Sequence, residues 1–490
     1  MAAPEKAQAT KDLKTYKLFI GGEWKDARGG ATITTNNPAT EEIVANIPNA
    51  SAEDVDDAVQ AAKEGFKVWR GFAWTKRAKI MREFAARMDS RAEEFARIDV
   101  EDSGMPINGM RGDAQSASSE VMYFAGIASE LKGTSFDSPE NIVCSSFREP
   151  FGVVGRIIPF NHPYRFCAKI SPCIAAGNAV ILKPSEATSQ SAFGFVEMTK
   201  GLFPDGVINL ITGLGAVSGA AIVKHPEVPR IAFTGGVPTG KSIMRDGAEH
   251  LKRVSLELGG KNPMIVFPDV DVPKAARGCM LGMNLPRSMG QSCQSNSRVF
   301  VHEKIYDKFL EELLKCLAKL KVGDPTKEDT DMGALAYEGH FKRVMAYIES
   351  GKQEGAKLAF GGGRPKGTNK GYFVEPTVFT GVDKDMKIAK EEIFGPVISV
   401  FKWSDWDDVV KRANAVPFGL TGNIWTNDIS LAYRTAKAIQ SGLVWINGSG
   451  GRVSGSPFGG YKQSGMGKEG DLSDLLSYTQ EKCIQANLQF

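Results

Sequence analysis

The stretches Val153–Pro159 (VVGRIIP), Asn178–Pro184 (NAVILKP), Val207–Gly213 (VINLITG), Arg230–Gly235 (RIAFTG) and Pro263–Phe267 (PMIVF) decide the fold. Each is a short, largely apolar run without strict alternation, closed by proline or glycine. Helix-compatible segments such as Ser189–Phe203 separate them. A strand with one wet face alternates apolar and polar residues, whereas a run without that alternation belongs to a strand covered on both faces. Strands of that kind alternating with helices imply a parallel sheet. A second series begins after Cys293, with RVFVH (298–302), a helical stretch over 305–323, GYFVEPTVF (371–379), PVISVFKW (396–403) and GLVWIN (442–447). Upstream, LFIGGEW (18–24) reads as a strand and turn. Ser51 caps a helix with apolar residues at 55, 59, 62, 66 and 69, and a second helix runs from about Thr75 to Gly104. The expected architecture is α/β, with two parallel-sheet domains facing a crevice.

At 490 residues the chain exceeds the usual span of one core, which agrees with two domains. Its 60 basic and 57 acidic residues nearly cancel, and no Lys/Arg block could track a phosphate backbone, which argues against a nucleic-acid partner. No apolar run is long enough to span a bilayer, so no membrane association is expected. The opening MAAPEKAQATKDLKTYK lacks an apolar centre and reads as a surface tail rather than a secretory signal. Seven cysteines, scattered and without CxxC spacing, fit a reducing cytoplasm better than a disulfide framework. Five histidines, none in HxxxH or HExxH spacing, give no basis for a metal site.

Four local patterns carry chemistry, and each alone has a plain alternative. Glycines 235, 236 and 240 follow the strand ending at Phe233, where backbone amides at a helix start can approach a phosphate. Such turns are also common punctuation. Lys183-Pro184-Ser185-Glu186 closes a buried strand, the end at which parallel sheets bind ligands, or else forms a solvated turn. Glu257 lies in the apolar VSLELGG; burial would raise its pKa and make it a base, unless Lys261 pairs with it. Cys293, in the polar GQSC, sits where a thiolate is favoured, while the other six cysteines read as core fillers.

Together, IPFNHP (158–163), LKPSE (182–186), FTGG (233–236), LELGGK (256–261), GQSC (290–293), EEIFGPV (391–397) and SPFGGYKQSGMGKE (456–469) resemble the aldehyde dehydrogenase superfamily, and the resemblance runs from about Leu18 to Ile484. It implies a Rossmann-like cofactor domain (1–129 and 150–261), a catalytic domain (262–461) and a small β oligomerisation module (130–149 with 476–490), assembled as a homodimer or homotetramer. It implies that Cys293 attacks a small-molecule aldehyde. Asn161 and the Cys293 amide would hold the oxyanion, donors of a kind worth roughly 3–4 kcal/mol each. Glu257 would activate the water that hydrolyses the thioester, and Lys169 and Glu469 would relay protons. NAD, rather than NADP, would lie along Pro159, Phe160, Lys183, Ser185, Glu186, Gly215, Phe233, Gly235, Gly236, Leu258, Glu392 and Phe394, with Glu186 repelling a 2′-phosphate.

The chain departs from the family pattern in two places. One residue is missing between Asn161 and Lys169. Arg165 and Arg287 also stand where relatives carry other residues, with Phe458 opposite. Both cations in a substrate tunnel would suit a carboxylate-bearing semialdehyde; the alternative is that they pair with structural carboxylates. Two other functions remain in view. A coenzyme A-acylating relative is disfavoured by the intact LELGGK, and an inactive binding or structural relative by the joint presence of Asn161, Glu257 and Cys293.

Overall fold

The computed structural model describes residues 13–488. Residues 1–12 of the opening tail, and 489–490 of the terminal segment, lie outside the described residues. An eight-stranded sheet has five parallel central strands, ordered Arg253–Glu257, Arg230–Thr234, Val153–Ile157, Ala179–Lys183 and Ile208–Leu210. The chain starts at Val153–Ile157, builds outward in one direction, then returns to build in the other. The order therefore reverses beside that first strand, and the crevice outside its carboxyl end is the natural ligand site. Leu18–Ile20 and Glu23–Lys25 add an antiparallel hairpin at one edge. Gly21 and Gly22 turn it, both at positive φ (62° and 84°).

The largely apolar strands are explained by cores on both faces. Val154, Val180 and Leu182 point into one core with Phe84, Phe124 and Phe195, while Val153, Ala179 and Ile181 meet Val55, Val59 and Ile222 on the other. The seven-stranded second sheet repeats the pattern. Val299 and Val301 face Met264 and Leu313, while Phe300 faces Ile265 and Phe401. Pro263–Val266, contiguous in sequence with the first series, belongs to this second sheet, between Arg298–His302 and Thr421–Trp425.

Two elements differ from expectation. The helix expected from Thr75 to Gly104 is two helices, Trp74–Ser90 and Ala92–Ser103. Arg91 breaks the repeat at φ −115°, ψ 13°, and apolar periodicity cannot register a single non-helical residue between two packed faces. The Thr421–Trp425 strand carries Gly422 and Asn423, poor strand formers, and the apolar-run reading passes over it. At the other end of the molecule, Thr479–Asn487 pairs antiparallel with Ile142–Pro150 over nine residue pairs, and Ser135–Phe136 adds a third strand. No helix among the described residues is long and apolar enough to cross a membrane.

Candidate active site

The crevice at the switch point opens into a cavity of about 720 Å³. Its walls come from the ends of successive strands: Pro159, Phe160 and Asn161 after the first, Lys183, Ser185 and Glu186 after the second, Gly235 and Gly236 after the fourth, Glu257 and Leu258 at the last. Gly215 and Phe233 complete that side, and Cys293, Glu392 and Phe394 close the other. All twelve residues expected at a cofactor thus share one cavity with Cys293, Glu257 and Asn161.

Cys293 occupies a turn after the short Leu285–Ser288 helix and is partly exposed to the cavity. Its carbonyl accepts from Asn262 Nδ2 at 2.7 Å. The two glycines of LELGGK have separate steric reasons. A Cβ on Gly260 would stand 2.5 Å from the Cys293 carbonyl oxygen, and one on Gly259 would stand 2.1 Å from Glu392 Oε2. The buried Asn161 donates from Nδ2 to the Gln291 carbonyl at 2.9 Å, which fixes the amide against the loop leading to Cys293 and leaves its second N–H unused.

Glu257 is buried, and neither of its oxygens has a hydrogen-bond partner among the described residues, so the pairing with Lys261 does not occur. Burial, then the charge of Glu469, pushes its pKa well above the usual carboxylate range. Burial, then Glu257 and Glu392, likewise raises the Cys293 thiol. Burial also lifts Glu392 to about 7, although the Gly260 N–H donates to its Oε1 at 2.9 Å. Phe160 packs edge-on against Tyr337 and Phe394, with centroids 5.4 and 5.6 Å apart. On the opposite wall, buried Lys183 donates to the Pro184 carbonyl at 3.0 Å and lies 3.8 Å from Glu186.

Lys169 and Glu469 are absent from this cavity wall but meet each other at 3.3 Å. Lys169 also reaches the partly exposed Glu120 at 3.2 Å, and Glu469 takes a 2.8 Å bond from Arg156, the other three being buried. Burial alone would raise Glu469; Arg156 and Lys169 outweigh it and hold the carboxyl down to about 2.

A profile of the aldehyde dehydrogenase family matches residues 24–484. The chain belongs to the aldehyde dehydrogenase family. Among curated relatives, hydroxyisobutyraldehyde dehydrogenase of Mycolicibacterium austroafricanum is 43% identical over 96% of this chain and 94% of its own. Aldehyde dehydrogenase 1 of Tanacetum cinerariifolium is 42% identical over 96% and 95%. Among solved structures, the NAD+ complex of a Bacillus cereus aldehyde dehydrogenase superposes with a TM-score of 0.94 at 39% identity, covering 97% of both chains.

In this aldehyde dehydrogenase a second cavity, of about 470 Å³, holds Arg165 and Arg287, whereas Phe458 lines neither cavity and is buried under the Arg452 guanidinium, 4.4 Å away. Both arginines engage buried Asp113: Arg165 at 3.7 Å, and Arg287 in closer contact at the same oxygen. His162 Nδ1 lies 2.5 Å from the other oxygen and is held at a φ of 142°, a conformation that non-glycine residues rarely adopt. Sequence reasoning missed Asp113, His162, Glu120, Arg156 and Arg452. Only Arg156 left a signal, as a lone cation inside the apolar VVGRIIP strand.

Proposed function

We propose that this protein oxidises an aldehyde to the carboxylic acid with NAD, using Cys293 as nucleophile. The observation that carries the reading is the joint placement of Cys293, Asn161 and Glu257 on the wall of the switch-point cavity. The residues along the rest of that wall fit a dinucleotide. The Lys183 ammonium spends one donor on Pro184 and has others to offer ribose hydroxyls. Gly235 and Gly236 leave the start of the Val237–Ala248 helix open to a pyrophosphate. Gly215 lies beside the Glu186 carboxylate, its Cβ position 4.0 Å from Oε1. That carboxylate favours NAD over NADP, because a 2′-phosphate would meet like charge.

The thiolate of Cys293 adds to the aldehyde carbon, and the resulting oxyanion takes the free N–H of Asn161 and the Cys293 amide. Burial raises the thiol pKa, so its ionisation needs an acceptor, and we assign that part to the unpartnered Glu257 in its ionised form. NAD, when bound, supplies the acceptor for the hydride that leaves the adduct. Cys293 then holds the acyl group as a thioester, and Glu257 takes a proton from the water that cleaves it. Lys169 and Glu469 would carry that proton onward. A carboxylate-bearing aldehyde is the substrate class Arg165 and Arg287 suggest.

The protein would act as a homodimer or homotetramer, assembled through the sheet formed by Thr479–Asn487 and Ile142–Pro150. Val143, Phe147 and Ile484 lie exposed on it, about half open to solvent in the single chain. Seven free thiols suit a reducing compartment such as the cytoplasm. The deciding experiment is NADH formation across an aldehyde panel with wild type and Cys293→Ala. Oxidation should vanish in the variant while NAD binding, followed by fluorescence titration, persists. Residual turnover in Cys293→Ala would overturn the reading.

A further inference from the structure

The second cavity has an unbalanced charge. Asp113 is a single carboxylate set against two guanidiniums, Arg165 and Arg287. Its other neighbour, His162, is pushed toward the neutral form by burial, although Asp113 opposes that shift. One positive charge of the cluster therefore stays uncompensated. Lys169 and Arg156 do not add to this excess, because Glu120 and Glu469 match them. Arg452 does add to it. It lines the cavity, makes no ion pair among the described residues, and is held in place by stacking on Phe458. The remaining polar wall includes Gln115, Ser116, Ser119 and Ser454; Ser116 and Ser119 already donate to the Gly112 and Gln115 carbonyls, which leaves Gln115 and Ser454 to donate to an anion.

The two cavities share a partition. On the segment after Asn161, Phe166 faces the first cavity and Arg165 the second. The Arg452 charge lowers the pKa of both Cys293 and Glu257, against the larger effect of burial that raises them.

We propose that the second cavity recognises the carboxylate tail of the aldehyde, with Arg452 as the principal cation and Arg165 and Arg287 held beside it by Asp113. This rests on Cys293 being the nucleophile. Asp113 keeps the two flanking guanidiniums oriented without cancelling them, whereas Arg452 has no carboxylate of its own and takes the substrate's.

The test compares succinic semialdehyde with butanal, an uncharged aldehyde of equal chain length, both with NAD. Wild type should favour the semialdehyde in kcat/KM by about tenfold or more, with the preference shrinking as salt rises. Arg452→Gln should lower the ratio of the two kcat/KM values by about 10- to 100-fold, the range expected for losing a hydrogen bond between charged partners, mostly through KM for the semialdehyde. Arg452→Lys should keep part of it. A wild-type ratio near one, or a ratio unchanged in Arg452→Gln, overturns the proposal. No NADH from either substrate or from a wider panel would instead overturn the dehydrogenase reading. In that case calorimetry still decides on the cavity: wild type should bind succinate and not butyrate, with the difference lost in Arg452→Gln, and equal heats overturn the proposal.

Discussion

Replacing Glu257 by Gln separates the two halves of the proposed reaction. Neither carboxylate oxygen accepts a hydrogen bond among the described residues, so the isosteric amide breaks no contact there, and it removes a buried carboxyl whose ionisation Glu469 opposes. Thermal stability should equal or slightly exceed wild type. The chemical effect should fall on hydrolysis, where a positioned general base contributes roughly 10²- to 10⁴-fold. Stopped-flow mixing with aldehyde and NAD should therefore give a burst near one NADH per Cys293, followed by a steady rate lower by that factor. Mass spectrometry of the quenched variant should find the acyl group on Cys293. Burial and Glu469 hold the Glu257 carboxyl protonated well above the usual range. The ionised, competent fraction then grows with pH, and a hydrolysis-limited wild-type rate should rise about tenfold per pH unit below that elevated pKa. The Gln variant should lose this slope. A steady rate in Glu257→Gln equal to wild type, or an acyl adduct that fails to accumulate in a variant with a normal first turnover, would refute the assignment.

Three further outcomes follow from the geometry. Gly259→Ala places a methyl 2.1 Å from Glu392 Oε2, so the carboxylate must move; NAD affinity should drop about tenfold or more with Cys293 alkylation by iodoacetamide little changed, and unchanged NAD titrations would remove Glu392 from the cofactor site. Glu186→Ser should narrow the NAD-to-NADP preference by about tenfold, the effect of relieving one like-charge contact; a constant ratio of kcat/KM values would show that Glu186 does not read the ribose. Charging the exposed apolar face of the terminal sheet, with Phe147→Glu and Ile484→Glu together, should shift the sedimentation of the assembled protein toward the monomer, and an unchanged profile would place the contact elsewhere.

The parallel sheets were legible because largely apolar runs without alternation have few other uses in a globular chain. The strand-end residues were legible because parallel sheets concentrate ligand chemistry there. The resemblance then supplied roles that no local pattern could, for Asn161 and Glu392 above all. What the sequence hid was pairing at a distance. Asp113 lies in the Ile107–Ile127 helix, among small residues, and nothing in that helix signals that it will meet His162, Arg165 and Arg287. Arg165 and Arg287 were visible as departures, but their shared carboxylate was not, and that changes them from two free cations into an oriented pair. Arg452 lies in a glycine- and serine-rich loop that reads as ordinary surface until the fold sets it over Phe458.

Glu469 illustrates how a structural charge can tune a chemical one. Burying a carboxylate this deeply is unfavourable, and Arg156 at 2.8 Å with Lys169 at 3.3 Å makes the ionised form tolerable. The charge so fixed acts on its neighbours. After burial itself, Glu469 is the largest influence raising both Glu257 and Asp474, the latter to about 7. Its backbone pairs with Phe458, through bonds of 2.9 and 2.7 Å, so the residue that loads Glu257 with a proton is tied to the ring beneath Arg452. Removing the Glu469 charge should therefore do more than break an ion pair. It should leave Arg156 buried without its anion, leave Lys169 with Glu120 alone, and let the Glu257 pKa fall. The protein would then be less stable while its base ionises at lower pH, two effects that a purely structural ion pair would not link.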